Sequence, residues 1–259
     1  MTYRPGEYWE RTLSEQFDLR GTGEPGLSLA YNRACYQLRR EVLDRALADA
    51  GIDPRGKRVL DVGCGTGFWT AYYTGRGADY TGLDIAPTSI AKLQQAFPSA
   101  RFIHSDVSEA ELEGTYDLVN VFDVLYHVTD DAKWEAALGR LARAVAPGGA
   151  LLVTDLFSAP QGLAEHNKMR PLVRYRAVLD ASGVRFEYAP LRPTHVLLNR
   201  HLGFWRFLNR APWLLLAVDR ALLALGFKPE RGTNRLLVAR RVAQRARSAG
   251  AGPASLAGE

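Results

Sequence analysis

The stretch Val59-Leu60-Asp61-Val62-Gly63-Cys64-Gly65-Thr66-Gly67 is a short apolar run that ends in alternating glycines and opens a helix-like segment. That pattern is a buried strand turning through a glycine loop into a helix. Glycines there let a ligand approach bare backbone, and the following helix N-terminus offers unpaired N–H groups. Nicotinamide and flavin enzymes use such a loop too, so its neighbours must discriminate. The dinucleotide fingerprint needs its third glycine at position 68, where helix packs on strand, and this chain has Phe68. Asp61 would repel a pyrophosphate but suits the positively charged amino group of a methionine moiety. Both features favour a cationic ligand.

Outward from this loop the chain alternates short apolar runs with helical segments, the signature of βα units and a parallel sheet. The spacing predicts strands near 58–62, 79–83, 101–104, 117–122 and 150–154, with helices near 67–75, 87–97 and 130–145. A helix near 173–181 and strands near 184–188, 194–198 and 235–238 follow. Before the loop, Leu29, Cys35, Leu38, Val42, Leu43, Ala46 and Leu47 line one helical face, and Gly51 ends it. Three regions are expected: a helical N-terminal cap over 1–55, an α/β ligand-binding domain over 56–241 with a helical insertion near 199–231, and a disordered tail over 242–259.

Successive predicted strands end in acidic residues. The second ends in Thr81-Gly82-Leu83-Asp84. Asp84 lies roughly twenty positions after Gly63, where a carboxylate accepts both ribose hydroxyls of an adenosine ligand. The third runs into His104-Ser105-Asp106-Val107, where the Asp106 carboxylate and the Val107 N–H suit the amine and a ring nitrogen of adenine. Each aspartate also reads as a helix cap or turn residue. Three at successive strand ends favour the ligand.

These residues resemble the class I, Rossmann-like S-adenosylmethionine-dependent methyltransferases, small-molecule type. The resemblance rests on Leu60 to Gly67, Asp84, Ser105-Asp106-Val107, Tyr116 to Val119, Asp123 to Val128, and Leu141 to Gly149. It implies an α/β fold with a seven-stranded, mostly parallel sheet whose last strand is antiparallel. By position it implies that Gly63, Gly65 and Gly67 approach the methionine part, Asp84 the ribose, and Asp106 with Val107 the adenine; Asp61 and Ile85 are expected among the cofactor contacts as well. Phe122, closing the fourth strand, would contribute backbone near the methionine end.

Methyl transfer from a sulfonium is an in-line displacement, so holding acceptor and methyl in attack geometry is the main task. The segment after the fourth strand faces the acceptor, which nominates His127, Tyr126 and Asp123 for orienting or deprotonating a hydroxyl or amine. His127 equally reads as a packed histidine, and His195 is a further candidate. The segment Phe122-Asp123-Val124-Leu125 lacks the Asn/Asp-Pro-Pro-aromatic run of enzymes acting on DNA bases, so no nucleic-acid partner is expected. Asp123 and Asp155 could be imagined as hard metal ligands, but Leu156 follows where metal-dependent relatives carry Asn, so no metal is expected.

Composition frames the rest. The chain has 259 residues, 47% of them apolar, and a net charge of +5, with arginines crowding its end. Two cysteines fit a reducing compartment, and with no long apolar run a cytoplasmic protein is expected. Between 193 and 232 lie Phe204, Trp205, Phe207, Trp213 and several leucines, broken by charges. Such a segment must bury its apolar face as a lid over the acceptor, in a homodimer interface, against a membrane surface or simply on the sheet edge. With Tyr8, Trp9 and Phe17 it suggests a pocket roofed by aromatic groups, suited to an apolar or aromatic acceptor, and the expectation is that residues 200–230 close it. An NAD-type oxidoreductase and a non-catalytic cofactor-binding protein are the alternatives.

Overall fold

A computed structural model describes residues 3–158, 165–198, 203–229 and 233–243. In chain order the helices are α1 (Pro5–Glu15), α2 (Leu29–Asp49), α3 (Phe68–Thr74), α4 (Pro87–Ala96), α5 (Asp131–Ala144), α6 (Leu172–Ala181) and α7 (Pro212–Ala224). The strands are β1 (Arg58–Val62), β2 (Asp79–Asp84), β3 (Arg101–His104), β4 (Tyr116–Phe122), β5 (Val145–Asp155), β6 (Phe186–Tyr188), β7 (Arg192–Pro193) and β8 (Arg235–Arg241). They form one sheet in the order β3-β2-β1-β4-β5-β8-β6, with the two-residue β7 also paired to β8. β1 to β5 are mutually parallel, and β8 runs antiparallel to β5. This is the Rossmann-like arrangement expected, with β7 as an eighth, minimal strand.

Both faces of the sheet are covered, which is why its central strands are apolar on both sides. Leu60, Val62, Val119, Val121, Leu151 and Val153 pack toward Trp134, Leu138 and Leu141 of α5 and Tyr175 of α6. The alternate positions Val59, Leu118, Ala150 and Leu152 meet Val42, Leu43 and Leu47 of α2 and Trp69 and Tyr73 of α3. Helix α2 is therefore one of the layers that build the core.

Two regions differ from expectation. A strand over 194–198 does not form, because the N–H groups of Val196, Leu197 and Leu198 turn onto the buried carboxylate of Asp219 in α7, at 3.0, 2.7 and 3.1 Å. Helix α7 does not close over the ligand side of the sheet. Leu215 and Leu216 bury against Tyr31, Ala34, Cys35 and Leu38 of α2, and Arg220 pairs with Glu41 of α2 at 2.5 Å. The opposite flank of the insertion stays wet, with Trp213 71% and Leu225 84% exposed. No helix among the described residues is long and apolar enough to cross a membrane. The expected tail lies, from residue 244 onward, outside the described residues.

The cover over the strand C-termini comes instead from the N-terminal segment. Helix α1 is fastened to the start of α4 by Glu10, whose carboxylate accepts from the Thr88 N–H at 2.9 Å and the Thr88 hydroxyl at 2.6 Å. This occupies a helix N-terminus with an anion, the favourable polarity. The loop after α1 is held by buried Asn32, which accepts from the Glu24 N–H at 2.7 Å, and by Tyr36, whose hydroxyl donates to the Thr22 main-chain oxygen at 3.0 Å. Thr22 thereby lies over the glycine loop.

Candidate functional site

A cavity of about 880 Å³ lies outside the C-terminal ends of β1, β2 and β4, where strand order reverses. Open α/β sheets bind ligands at this switch point. Gly63, Gly65, Asp84 and Asp106 line one end, and Tyr8, Trp9, His127 and His166 line the other.

The loop after β1 is shaped by conformation before it meets any ligand. Gly65 has φ +51, and a Cβ there would come within 2.8 Å of Thr22 Cγ2. The Gly65 N–H donates to Asp84 Oδ2 at 2.7 Å, and the Ala86 N–H donates to Oδ1 at 2.9 Å. Each Asp84 oxygen can accept a further hydrogen bond, and the residue lines the cavity. Burial raises the pKa of Asp84, opposed by these backbone bonds. Asp106 spends Oδ1 on the N–H and hydroxyl of Ser108, at 2.8 and 2.7 Å, so its turn role is real, and no described residue hydrogen-bonds Oδ2. Ile85, Val107 and Phe122 complete this end.

The structure places two of the expected contact residues, Asp61 and Gly67, outside the cavity lining. Asp61 does not line the cavity: strand alternation turns it to the α3 face, fully buried, where the Tyr80 hydroxyl bonds Oδ2 at 2.7 Å and Asn120 Nδ2 bonds Oδ1 at 2.5 Å. Loss of hydration pushes its pKa up to about 7, against the lowering effect of those two bonds. Gly67 also lies outside the lining. It caps α3 with φ +84, and a Cβ there would meet Leu93 Cδ2 at 2.5 Å, so glycine is needed for packing against α4.

At the other end His127 sits on a 3-10 turn, Leu125–His127, with its ring edge-on to Trp9 at 4.9 Å and parallel to His166 at 5.6 Å. Tyr8 stacks on His166 at 5.0 Å. His127 Nδ1 lies 3.1 Å from the His166 main-chain oxygen. A carbonyl only accepts, so Nδ1 carries the proton and Nε2 is the basic nitrogen. Burial lowers the pKa of this imidazole to about 4, so it is neutral at pH 7. Burial also raises the Tyr126 phenol well above its usual value, which makes Tyr126 a proton donor and no base.

Asp123 lines the cavity but is not placed as a base. Its Oδ1 accepts from Asn234 Nδ2 at 2.6 Å and the Thr154 hydroxyl at 3.0 Å, and its Oδ2 pairs with Arg39 at 2.6 Å. Backbone φ of +59, uncommon outside glycine, turns it into this position. Asp155 is buried against Tyr175 and the Leu156 N–H. Among the described residues no group of three or more His, Cys, Asp or Glu is placed to share a metal ion. His195 is buried beside Thr194 and lies outside the lining, and Phe17 packs with Cys64, Ile90 and Leu93. Of the expected aromatic roof, Tyr8 and Trp9 are present, and Tyr3 joins them.

Arg39, His166 and Asn167 line the cavity without having been singled out. Arg39 had a legible signal, since a charge falls within the apolar stripe of Cys35, Leu38, Val42 and Leu43 on α2. His166 and Asn167 had none, for they reach the site only by folding of a loop.

A family model described as a methyltransferase domain matches residues 31–204. The ubiquinone biosynthesis O-methyltransferase of Pseudomonas aeruginosa (strain UCBPP-PA14) is 35% identical over 112 residues, 41% of this chain and 47% of that protein. The chain thus spans about half the length of the curated relatives it matches. Magnesium protoporphyrin IX methyltransferase (ChlM) from Synechocystis PCC 6803, solved with bound SAM, superposes with a TM-score of 0.55 at 19% identity, covering 93% of this chain and 92% of that one. N-methyltransferase NodS from Bradyrhizobium japonicum WM9, in complex with S-adenosyl-l-homocysteine, gives 0.58 at 14% identity, covering 91% and 98%. At these identities the structural likenesses speak for the fold.

Proposed function

The chain belongs to the methyltransferase-domain family, and from that premise we propose that it moves the methyl group of S-adenosylmethionine to an oxygen or nitrogen of a small aromatic metabolite. One observation carries this reading: a single cavity joins the glycine loop, Asp84 and Asp106 to an aromatic chamber holding a neutral histidine. Its volume of about 880 Å³ falls in the upper part of the range of small-molecule sites, room for a nucleoside cofactor beside an acceptor.

The donor set fits this cofactor. Asp84 and Asp106 retain acceptor sites for ribose and adenine, and the Val107 N–H serves a ring nitrogen. Gly63 and Gly65 present backbone to the methionine part. Arg39, a cation on the cavity wall, would hold the cofactor's carboxylate through the N–H groups that Asp123 leaves over. When bound, S-adenosylmethionine supplies a methyl group on a sulfonium, whose leaving group is neutral. Ionisation of the acceptor before attack is then unnecessary. Nε2 of His127 accepts the acceptor's hydrogen bond and takes its proton as the new bond forms. Trp9, Tyr8 and His166 hold a flat ring and exclude water.

The test has two steps. Calorimetry with S-adenosylmethionine, S-adenosylhomocysteine and NAD should give binding of the two sulfur ligands alone. Isotope-labelled methyl donor is then offered with phenols and arylamines, and products are read by mass spectrometry. NAD binding without response to the sulfur ligands overturns the proposal.

A further inference from the structure

Resting on the base role just proposed for His127, we infer that Arg170 is a positioning residue that fixes the orientation and the tautomer of the His127 ring. His127 sits on the Leu125–His127 turn, and its Nδ1 proton is specified by the His166 main-chain oxygen 3.1 Å away. Nε2 stays the basic nitrogen only while that oxygen keeps its place. Residues 165–171 form no helix or strand, so the place of His166 depends on what ties its segment down.

The segment is tied to the turn at alternate residues. His166 gives its oxygen to the ring, Lys168 N–H donates to the Tyr126 main-chain oxygen at 2.8 Å, and Arg170 Nη2 donates to the Val128 oxygen at 2.9 Å. The Arg170 guanidinium also donates to the Lys168 oxygen at 3.2 Å, and through Nε and Nη2 to Asp131 Oδ1 in the first turn of α5, at 3.0 and 2.9 Å. Its central carbon lies 4.6 Å from the centre of the Trp134 ring. One planar fork thus joins the loop, the turn and α5, a reach that the point charge of a lysine lacks. Arg170 is 2% exposed, and a cation buried so far is costly unless its donors are met. An apolar residue would fill the volume without that cost, but would leave the Val128 and Lys168 oxygens without these donors and the two segments free to part. Arg170 therefore stands to His127 as the third group of a triad stands to its base, orienting it from outside the reacting atoms.

The experiment uses the full chain with S-adenosylhomocysteine bound and the histidine ring nitrogens isotope-labelled. His127 signals are identified by their loss in His127→Gln. Ring-nitrogen NMR of the wild type at pH 7 should show His127 as one neutral tautomer, protonated on Nδ1. Arg170→Lys keeps the charge but loses the fork, and should give a mixture of tautomers with S-adenosylhomocysteine affinity unchanged. Asp131→Asn, at a partly exposed side chain, should shift the tautomer the same way should Arg170→Lys fold poorly, whereas Arg174→Gln should not. With the phenol or arylamine that the wild type methylates, Arg170→Lys should lower kcat by about 10²-fold and leave the KM for S-adenosylmethionine unchanged. Added to His127→Gln, it should lower kcat no further. A single Nδ1-protonated tautomer in both Arg170→Lys and Asp131→Asn, or additive losses in the double variant, overturns the inference. So does a lowered melting temperature with tautomer and kcat intact. Full kcat in His127→Gln instead refutes the base role on which the inference rests.

Discussion

The Arg39 guanidinium lies 2.6 Å from the Asp123 carboxylate, joining α2 to the end of β4 on the wall of the cavity. Asn234 next to β8 and Thr154 in β5 bond the same carboxylate. One aspartate thus gathers four segments, and its φ of +59 is the backbone cost of doing so.

Removing either partner strands the other charge. Asp123→Ala should destabilise the fold by about 2–4 kcal/mol, the lower side of the range for buried pairs because both side chains keep some solvent contact. Arg39→Met should weaken S-adenosylhomocysteine binding as well as stability. Denaturant melts and calorimetry on the two single variants and the double variant measure the coupling; strictly additive losses would contradict the pairing.

His127 should show its burial in pH dependence. Its pKa is about 4 in the folded chain and ordinarily 6.5, so between these values the unfolded chain binds the extra proton and the folded one does not. Stability from this group is complete above pH 6.5 and falls away as pH drops toward 4, by at most on the order of 3 kcal/mol. His127→Gln should flatten that loss in pH-dependent melts. The same variant should lower turnover by about 10²-fold with cofactor affinity retained. An acid limb near pH 6.5 in the wild-type rate profile that vanishes in His127→Gln would contradict the lowered pKa.

Asp61 and Asp84 should separate cleanly. Asp61→Asn can keep a partner for both Tyr80 and Asn120, so S-adenosylhomocysteine affinity should not change. Because the folded pKa of Asp61 is raised to about 7, the folded state keeps a proton the unfolded state releases near pH 4. Stability from that group declines as pH rises from about 4 to 7, and Asp61→Asn should remove this slope. Asp84→Ala should instead weaken cofactor binding by about 1–3 kcal/mol. Calorimetry in which Asp61→Asn loses binding and Asp84→Ala keeps it would reverse the assignment.

Asp219 should matter for stability and not for acceptor choice. Asp219→Ala leaves three N–H groups without their carboxylate and should cost about 3 kcal/mol or more. Trp213→Ser, on the exposed flank of α7, should leave kcat/KM unchanged for every acceptor. A selective loss of one acceptor in Trp213→Ser would restore the helical insertion to the cavity.

The sequence by itself determined the order of strands and helices as far as β5, the glycine loop and the acidic residues at or just after the strand ends, Asp84 and Asp106. Each is written in local spacing, and the rule that ligands bind beyond the C-terminal ends of parallel strands places them together. It could not decide which side Asp61 faces, because a five-residue strand buried on both faces carries no polar side to orient it. Nor could it foresee that α1 would roof the site while α7 packed on α2. Both segments are amphipathic, and an apolar face states that it must be buried but not against what. The pairs Arg39 with Asp123 and His127 with His166 lie far apart in the chain. Nothing local marks such partners, and only the folded sheet, by fixing where α2, β4 and the loop after β5 end, brings them within bonding distance.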